Sequence, residues 1–225
     1  MRARMTDLAA HLGVTRIARL TGLDRTGVEV ASAIRPSGHV LQVTNGKGRD
    51  WASASRGALG EAAELWAAEQ PGAEAVTARL GELDGALDPR FLGGAADEGL
   101  RGRWLRARRL DAPGSVWVPE SAVLCPAIGA APGLAPWTSN GMGAHPRLEA
   151  ALFHALLEAW EREALAQVLP HGWRARELKG RRLAHRDPKL EAGGFELAVF
   201  DLTPPRGAAP VAGALLRDLE PGPIP

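Results

Sequence analysis

Thr44-Asn45-Gly46-Lys47-Gly48, followed after a short spacer by Ala58-Leu59-Gly60-Glu61-Ala62-Ala63-Glu64, decides how this chain is read, because the chain says it again. Ser139-Asn140-Gly141-Met142-Gly143 leads, after a similar spacer, into Ala155-Leu156-Leu157-Glu158-Ala159-Trp160-Glu161. Each copy reads as an Asn-Gly-x-Gly turn entering a helix that carries Glu-x-x-Glu. Residues three apart on a helix are neighbours on one face, so each copy sets two like charges side by side, which is unfavourable unless a cation joins them. Four carboxylates and two glycine turns are the parts that divalent metal and phosphate require. Mg2+ takes a few carboxylates together with phosphate oxygens and water. Glycine turns let backbone N–H groups approach phosphates, and Lys47 adds a mobile point charge. The Gly-x-x-x-x-Gly-Lys-Ser/Thr string of a P-loop is absent. Taken singly, a Glu-x-x-Glu helix is a solvated face and an Asn-Gly turn is a hairpin or a helix entry. The ordered repetition favours the metal–nucleotide reading.

Working outward, Thr6 to Leu12 predicts a short helix stopped by Gly13. Val14 to Leu20 and Gly27 to Ile34 alternate and contain β-branched residues, a hairpin signal. Val40 to Thr44 predicts a strand entering the first Asn-Gly turn. Asp50 to Gln70 predicts the first carboxylate helix, ended at Pro71-Gly72. A further helix is expected over Ala73 to Leu83 and a loop over Asp84 to Gly102. Trp104 to Leu110 and Ser115 to Val118 predict two strands, and Ala122 to Trp137 a proline-broken loop. Arg147 to Leu169 predicts the most regular helix, with Leu148, Leu152, Phe153, Leu156, Leu157, Trp160 and Ala164 as its core face. Glu158, Glu161 and His154 are placed at the edge of that face. Arg174 to Lys189 is basic and irregular; Phe195 to Leu202 and Val211 to Leu219 predict strands. The fold class is α+β, mixed sheets and helices with a pseudo-repeated turn–helix unit.

The 225 residues carry a formal net charge of +1, 45% hydrophobic and 24% charged residues. This is ordinary for a soluble globular protein, with no global pull toward nucleic acid or acidic membranes. Neither a signal peptide nor a membrane helix is evident. One cysteine excludes an internal disulfide and fits a reducing, cytoplasmic setting. Arg101, Arg103, Arg106, Arg108 and Arg109 around Trp104 form a basic run open to nucleic acid. Because Arg106 and Arg108 alternate with Leu105 and Ala107, a strand with one wet face is the stronger reading. Arg162 serves equally as an ion-pair partner or a phosphate clamp. His154 and Glu158 have zinc spacing but no third ligand, and Cys125 reads as a small buried residue.

Thr44 to Glu64 and Thr138 to Arg162 resemble the two signature regions of the YcaO family. The opening strand pair, Gly13 to Pro36, and the strand Val116 to Pro119 resemble YcaO proteins of peptide-modifying gene clusters. The resemblance runs from about Gly13 to about Leu219. It implies ATP and Mg2+ bound between such helices and phosphorylation of a peptide amide oxygen. The products are azolines, or thioamides when external sulfide supplies the nucleophile. It further implies that Glu61, Glu64, Glu158 and Glu161 hold magnesium, that Arg162 contacts phosphate, and that Lys47 and Asn140 lie in the matching nucleotide turns. The partners implied are a precursor peptide and a peptide-recognition or sulfur-delivery protein, without nucleic acid or membrane; a homodimer is left open. The chain departs from the family pattern at Leu65 (often Arg), Gly57 (often Ser), Ala150 (usually a further metal-binding Glu), and Pro146 and Gly143 (the Asn and Ser of the nucleotide turn). Family members continue into another helix carrying Glu, Gln and Arg. The expectation is therefore a single domain over 1–225, incomplete at its C-terminal end, and the rival to the enzyme is a non-catalytic docking fragment.

Overall fold

β-Branched and alternating residues before the first glycine string form strands β1 (Arg16–Arg19) and β2 (Glu29–Ile34), which with β3 (Val43–Gly48) make a sheet in the order β1-β2-β3. Between β1 and β2 the Asp24 carboxylate accepts from the Thr26 amide at 2.8 Å and hydroxyl at 2.6 Å, the local side-chain turn that Asp favours. The computed structural model describes residues 2–70, 74–95, 99–126, 134–168, 181–207 and 209–220. By its internal contacts the chain divides into two units, each drawn from three stretches. The first is Met1–Arg16, Ala33–Thr44 and Glu61–Ser139; the second is Ile17–Ser32, Asn45–Gly60 and Asn140–Pro225. The Pro71-Gly72 helix stop, Leu169, residues 174–180 of the basic stretch Arg174 to Lys189, and the proline tail 221–225 lie outside the described residues.

The strand expected to end at Thr44 instead runs through the first Asn-Gly-x-Gly string to Gly48. Thr44 and Gly46 are buried while Val43, Asn45 and Lys47 are exposed, the period of two that a half-buried strand imposes. Helix α1 (Arg2–His11) precedes Gly13, whose φ of 72° needs glycine. Helix α2 (Trp51–Glu69) follows β3. Asp50 caps it, its carboxylate accepting from the Ser53 amide at 2.7 Å.

In the first unit β4 (Ala75–Arg79), β5 (Arg101–Arg108) and β6 (Ser115–Pro119) form an antiparallel meander, with Ala75 opposite Leu105 and Trp104 opposite Pro119. The helix expected over Ala73 to Leu83 is thus a strand followed by a 3-10 turn, Leu80–Glu82. Alanine and leucine favour a helix intrinsically, but pairing with β5 lets Val76 and Ala78 pack beside the fully buried Trp104, with Leu134 in the same cluster. The Trp104 indole N–H donates to the Ala78 carbonyl at 3.0 Å. A short helix α3 (Glu120–Val123) opens the proline-broken loop. Of the basic run, Arg103 donates to Glu120 at 2.8 Å, Arg106 to the Ser115 hydroxyl at 2.8 Å and Arg109 to Asp111 at 2.6 Å. Leu105 is buried between exposed Arg101 and Arg106.

In the second unit α4 (Leu148–Val168) and α5 (Pro188–Ala192) accompany the sheet β7-β8-β9 (Arg182–Leu183, Phe195–Asp201, Ala212–Asp218). Ala164, Ala198, Phe200, Leu202 and Val211 form its core, with Trp160 and Leu165 against it. The expected core face of α4 is only half used. Leu148, Phe153, Leu156 and Leu157 are 60%, 62%, 58% and 41% exposed. The β8–β9 core receives only the C-terminal turns of the helix, where the Trp160 indole donates to the Ala209 carbonyl at 2.9 Å. Among the described residues no helix is long and apolar enough to cross a membrane.

Candidate nucleotide and metal helices

Gly46 and Gly48 of the first string and Gly143 of the second have one structural task in common, which is closeness to the following helix. A Cβ on Gly46 would collide with the Ala54 carbonyl oxygen and the Ala58 amide nitrogen; one on Gly48 would lie 2.6 Å from the Ser53 Cβ. A Cβ on Gly143 would collide with the Ala151 carbonyl oxygen and lie 3.0 Å from the Ala155 amide nitrogen. Ala54 and Ala58 stand eight and twelve positions after Gly46, and Ala151 and Ala155 stand eight and twelve after Gly143. The same register places Glu61 and Glu64 fifteen and eighteen positions after Gly46, and Glu158 and Glu161 fifteen and eighteen after Gly143.

The repeat is therefore registered on Gly46 and Gly143 rather than on its Asn-Gly pairs. The first Asn-Gly lies inside a strand; the second, Asn140-Gly141, is a true turn, with Gly141 at φ 79°. At Gly46, where the sequence pattern suggested a turn, the glycine brings strand backbone against helix, as a glycine inside a strand commonly does.

Helix periodicity carries this register to the carboxylates. Ala54, Ala58, Glu61 and Leu65 follow at i, i+4, i+7 and i+11, one stripe of α2. Ala151, Ala155, Glu158 and Arg162 make the equivalent stripe of α4. The first glutamate of each pair thus continues the stripe that meets its glycine. Glu158 stands seven positions before Leu165, which packs against the β8–β9 core, and so shares its stripe at the edge of that buried face. Glu61 and Glu64 are half-buried; Glu158 is half-buried, while Glu161, Arg162 and His154 are exposed. Arg162 donates to the Glu158 carboxylate at 3.4 Å, an i,i+4 contact of long, exposed geometry worth little to stability. Lys47 and Asn45 share the exposed side of β3, and Asn45 accepts from the buried Ser32 hydroxyl at 2.5 Å. Asn140 is exposed in its turn. The unit boundary falls between Gly60 and Glu61, so Glu61 and Glu64 are counted with the first unit and Lys47, Asn140, Glu158, Glu161 and Arg162 with the second.

These donors are hard carboxylate oxygens with an ammonium and a guanidinium, the set that suits Mg2+ and phosphate and does not suit a thiophilic metal. Among the described residues no three His, Cys, Asp or Glu side chains gather into a metal-holding group. Mg2+ in nucleotide sites is held by one or two carboxylates, with phosphates and water supplying the rest, so the residues fit a nucleotide-borne ion.

The sequence reading missed a second polar center, in the first unit. Arg35 at the end of β2 and Glu69 at the end of α2 form a two-pronged ion pair, Nη1 to Oε2 at 2.5 Å and Nη2 to Oε1 at 2.6 Å, with side chains 4% and 5% exposed. Glu69 also accepts from the His39 amide at 2.8 Å. Burial alone would raise the Glu69 carboxyl; the hydrogen bonds from Arg35 and His39 outweigh it and hold the group below the usual carboxylate range. Burial, and then the Glu69 charge, push the Cys125 thiol up. The one signal in the sequence was an arginine directly following the strand Glu29–Ile34.

Residues 45–225 match the family model for the YcaO cyclodehydratase, described as ATP- and Mg2+-binding. An uncharacterized protein of Methanothermobacter thermautotrophicus is 33% identical over 242 residues, covering 94% of this chain and 59% of its own length, so the chain spans less than two thirds of that relative. The YcaO protein of Methanopyrus kandleri, solved with AMPPCP and Mg2+, superposes with a TM-score of 0.67 at 23% identity, over 89% of this chain and 52% of that one. A heterocyclase solved with substrate and cofactor superposes with a TM-score of 0.69 at 21% identity, over 89% of this chain and 33% of that one. At those identities the two structures speak for the fold alone, and the family match covers most of the sequence and both glycine–glutamate repeats: the chain belongs to the YcaO family.

Proposed function

We propose that this chain carries the nucleotide-binding helices of a YcaO enzyme that uses ATP and Mg2+ to activate backbone amides of a ribosomally made precursor peptide, giving azolines. The observation that carries the reading is the shared register of Gly46 with Glu61 and Glu64 and of Gly143 with Glu158 and Glu161, inside the matched region. ATP supplies a phosphoryl group that makes an amide oxygen a leaving group. The chain's own residues position and neutralise charge, which is most of what phosphoryl transfer asks of a protein. Glu61, Glu64, Glu158 and Glu161 would hold magnesium. Arg162 and Lys47 would meet phosphate oxygens, Arg162 exchanging its long contact with Glu158 for them, and Asn140 would offer its amide from the adjoining turn. The nucleophile belongs to the substrate, a Cys, Ser or Thr side chain, and a peptide-recognition partner presents it. The structures solved with AMPPCP and with substrate and cofactor support the reading by likeness of fold.

Calorimetry of this chain with ATP tests it. Binding is expected with Mg2+ and lost with chelator. Glu161→Gln, at an exposed position that leaves the fold alone, is expected to weaken Mg2+-dependent binding by about 10–100-fold, the scale seen when a metal site loses a supporting group. Binding indifferent to both Mg2+ and Glu161 would refute the site, and no binding at all would leave the docking fragment as the better account. On modified peptide, mass loss of one water reports azoline, whereas exchange of oxygen for sulfur reports the thioamide variant of the same site.

A further inference from the structure

Arg35, Glu69 and the residues beside them border a cleft of about 290 Å3 in the first unit, lined by His11, Ser37, His39, Trp66 and Gln70 among others. Both Nη groups of Arg35 are taken by Glu69, yet its Nε–H is buried and without a hydrogen-bond partner. A buried donor in that condition is a rarity that asks for an acceptor. Glu69 already balances the Arg35 charge, so an added carboxylate would face Glu69 uncompensated, whereas a neutral carbonyl oxygen adds no charge. Ser37 and Gln70 offer a hydroxyl and an amide oxygen to an N–H. Trp66 and His11, ring centers 4.9 Å apart at 56°, offer an aromatic flank. Acceptor, donor and apolar flank in a space of this size describe a short run of peptide backbone with one side chain.

We propose that this cleft is a second binding site, for a neutral peptide segment whose carbonyl accepts from Arg35 Nε. It rests on the reading that the substrate is a peptide and would grip that peptide at a place other than the glutamate helices. Nitrogen-15 NMR of the 225-residue chain tests it, with N-acetylalanine methylamide as probe and acetate as the charged comparison. Saturable shifts of the Arg35 Nε–H and Trp66 indole resonances are expected with the capped amide and none with acetate. Ser37→Ala, exposed and harmless to the fold, is expected to weaken the probe at least threefold. Unmoved resonances, equal response to acetate, or indifference to Ser37→Ala would overturn the proposal, a lone bridging water at Nε being the first of these outcomes. ATP with Mg2+ added to the same sample reads the other site. Shifts on α4 with a silent cleft sink the cleft alone, and the reverse sinks the nucleotide reading alone.

Discussion

Gly46→Ala is expected to destabilise the chain by about 3 kcal/mol or more, and Gly143→Ala by somewhat less. Overpacking of a well-packed site costs roughly 1–3 kcal/mol when side chains can shift. At Gly46 the obstruction is the Ala54 carbonyl and the Ala58 amide, backbone of a helix that cannot rotate aside. The remedy would be withdrawal of β3 from α2, which breaks the very approach that the string of glycines permits. At Gly143 the near atoms are again helix backbone, but the segment is a loop after a turn and can yield. Gly60→Ala is the control, because nothing lies within 4 Å of its Cβ and it sits inside α2. Alanine there is expected to stabilise by about 0.5–1 kcal/mol through helix propensity. Urea unfolding checks all three: the midpoints should move in opposite directions at unchanged slope. A Gly46→Ala midpoint equal to that of the parent would mean that strand and helix are not in contact as described. Because nucleotide affinity in the proposed site depends on where α2 places Glu61, the same variant is expected to lose Mg2+-dependent binding even at temperatures where it remains folded.

How much of this was legible in the sequence depends on the distance over which each feature is decided. The hairpin of β1 and β2 and helices α2 and α4 follow from local alternation, β-branched residues and the 3.6-residue period, and they are where the sequence puts them, within a few residues. The repeat was visible too, but its register was not: Asn-Gly pairs attract the eye, whereas the contact that matters is made by Gly46 and Gly143 with atoms eight and twelve residues later. Glycine was read for freedom of turn when at Gly46 it serves for absence of bulk. Residues 75–79 were misread because their fate is set by Leu105 and Trp104, some thirty positions on. The α4 face was misread because periodicity says which residues are apolar and not how far along the helix a sheet will cover them. Arg35 and Glu69 stand 34 residues apart, and no local pattern joins them.

Glu69→Ala is the second large effect expected, a loss of about 3–5 kcal/mol, the usual consequence of removing one member of a buried ion pair and leaving the other charge uncompensated. Against a typical total of about 5–15 kcal/mol, that is enough to unfold a marginal chain on mild warming. A double substitution separates the two costs. Arg35→Met with Glu69→Leu removes both charges, and buried pairs replaced by apolar residues of similar volume are often neutral or better. It is therefore expected to recover most of the loss, short of what the His39 amide forfeits with its acceptor. Glu69→Gln keeps the shape and tests the charge. Because the folded-state carboxyl of Glu69 is depressed, its contribution is fully present above the unfolded value of about 4.3 and is lost as pH falls through the folded value. The parent should therefore lose stability on acidification below about pH 4.3, and Glu69→Gln should lose less over the same range. Cys125 supplies an independent readout, being the single cysteine of the chain. Removing the Glu69 charge is expected to ease ionisation of its thiol, so alkylation of folded Glu69→Gln should become faster at a given pH. If stability fell while the acid limb and the thiol stayed as in the parent, packing rather than charge would be what Glu69 contributes, and Arg35 would have to be neutralised by something other than its carboxylate.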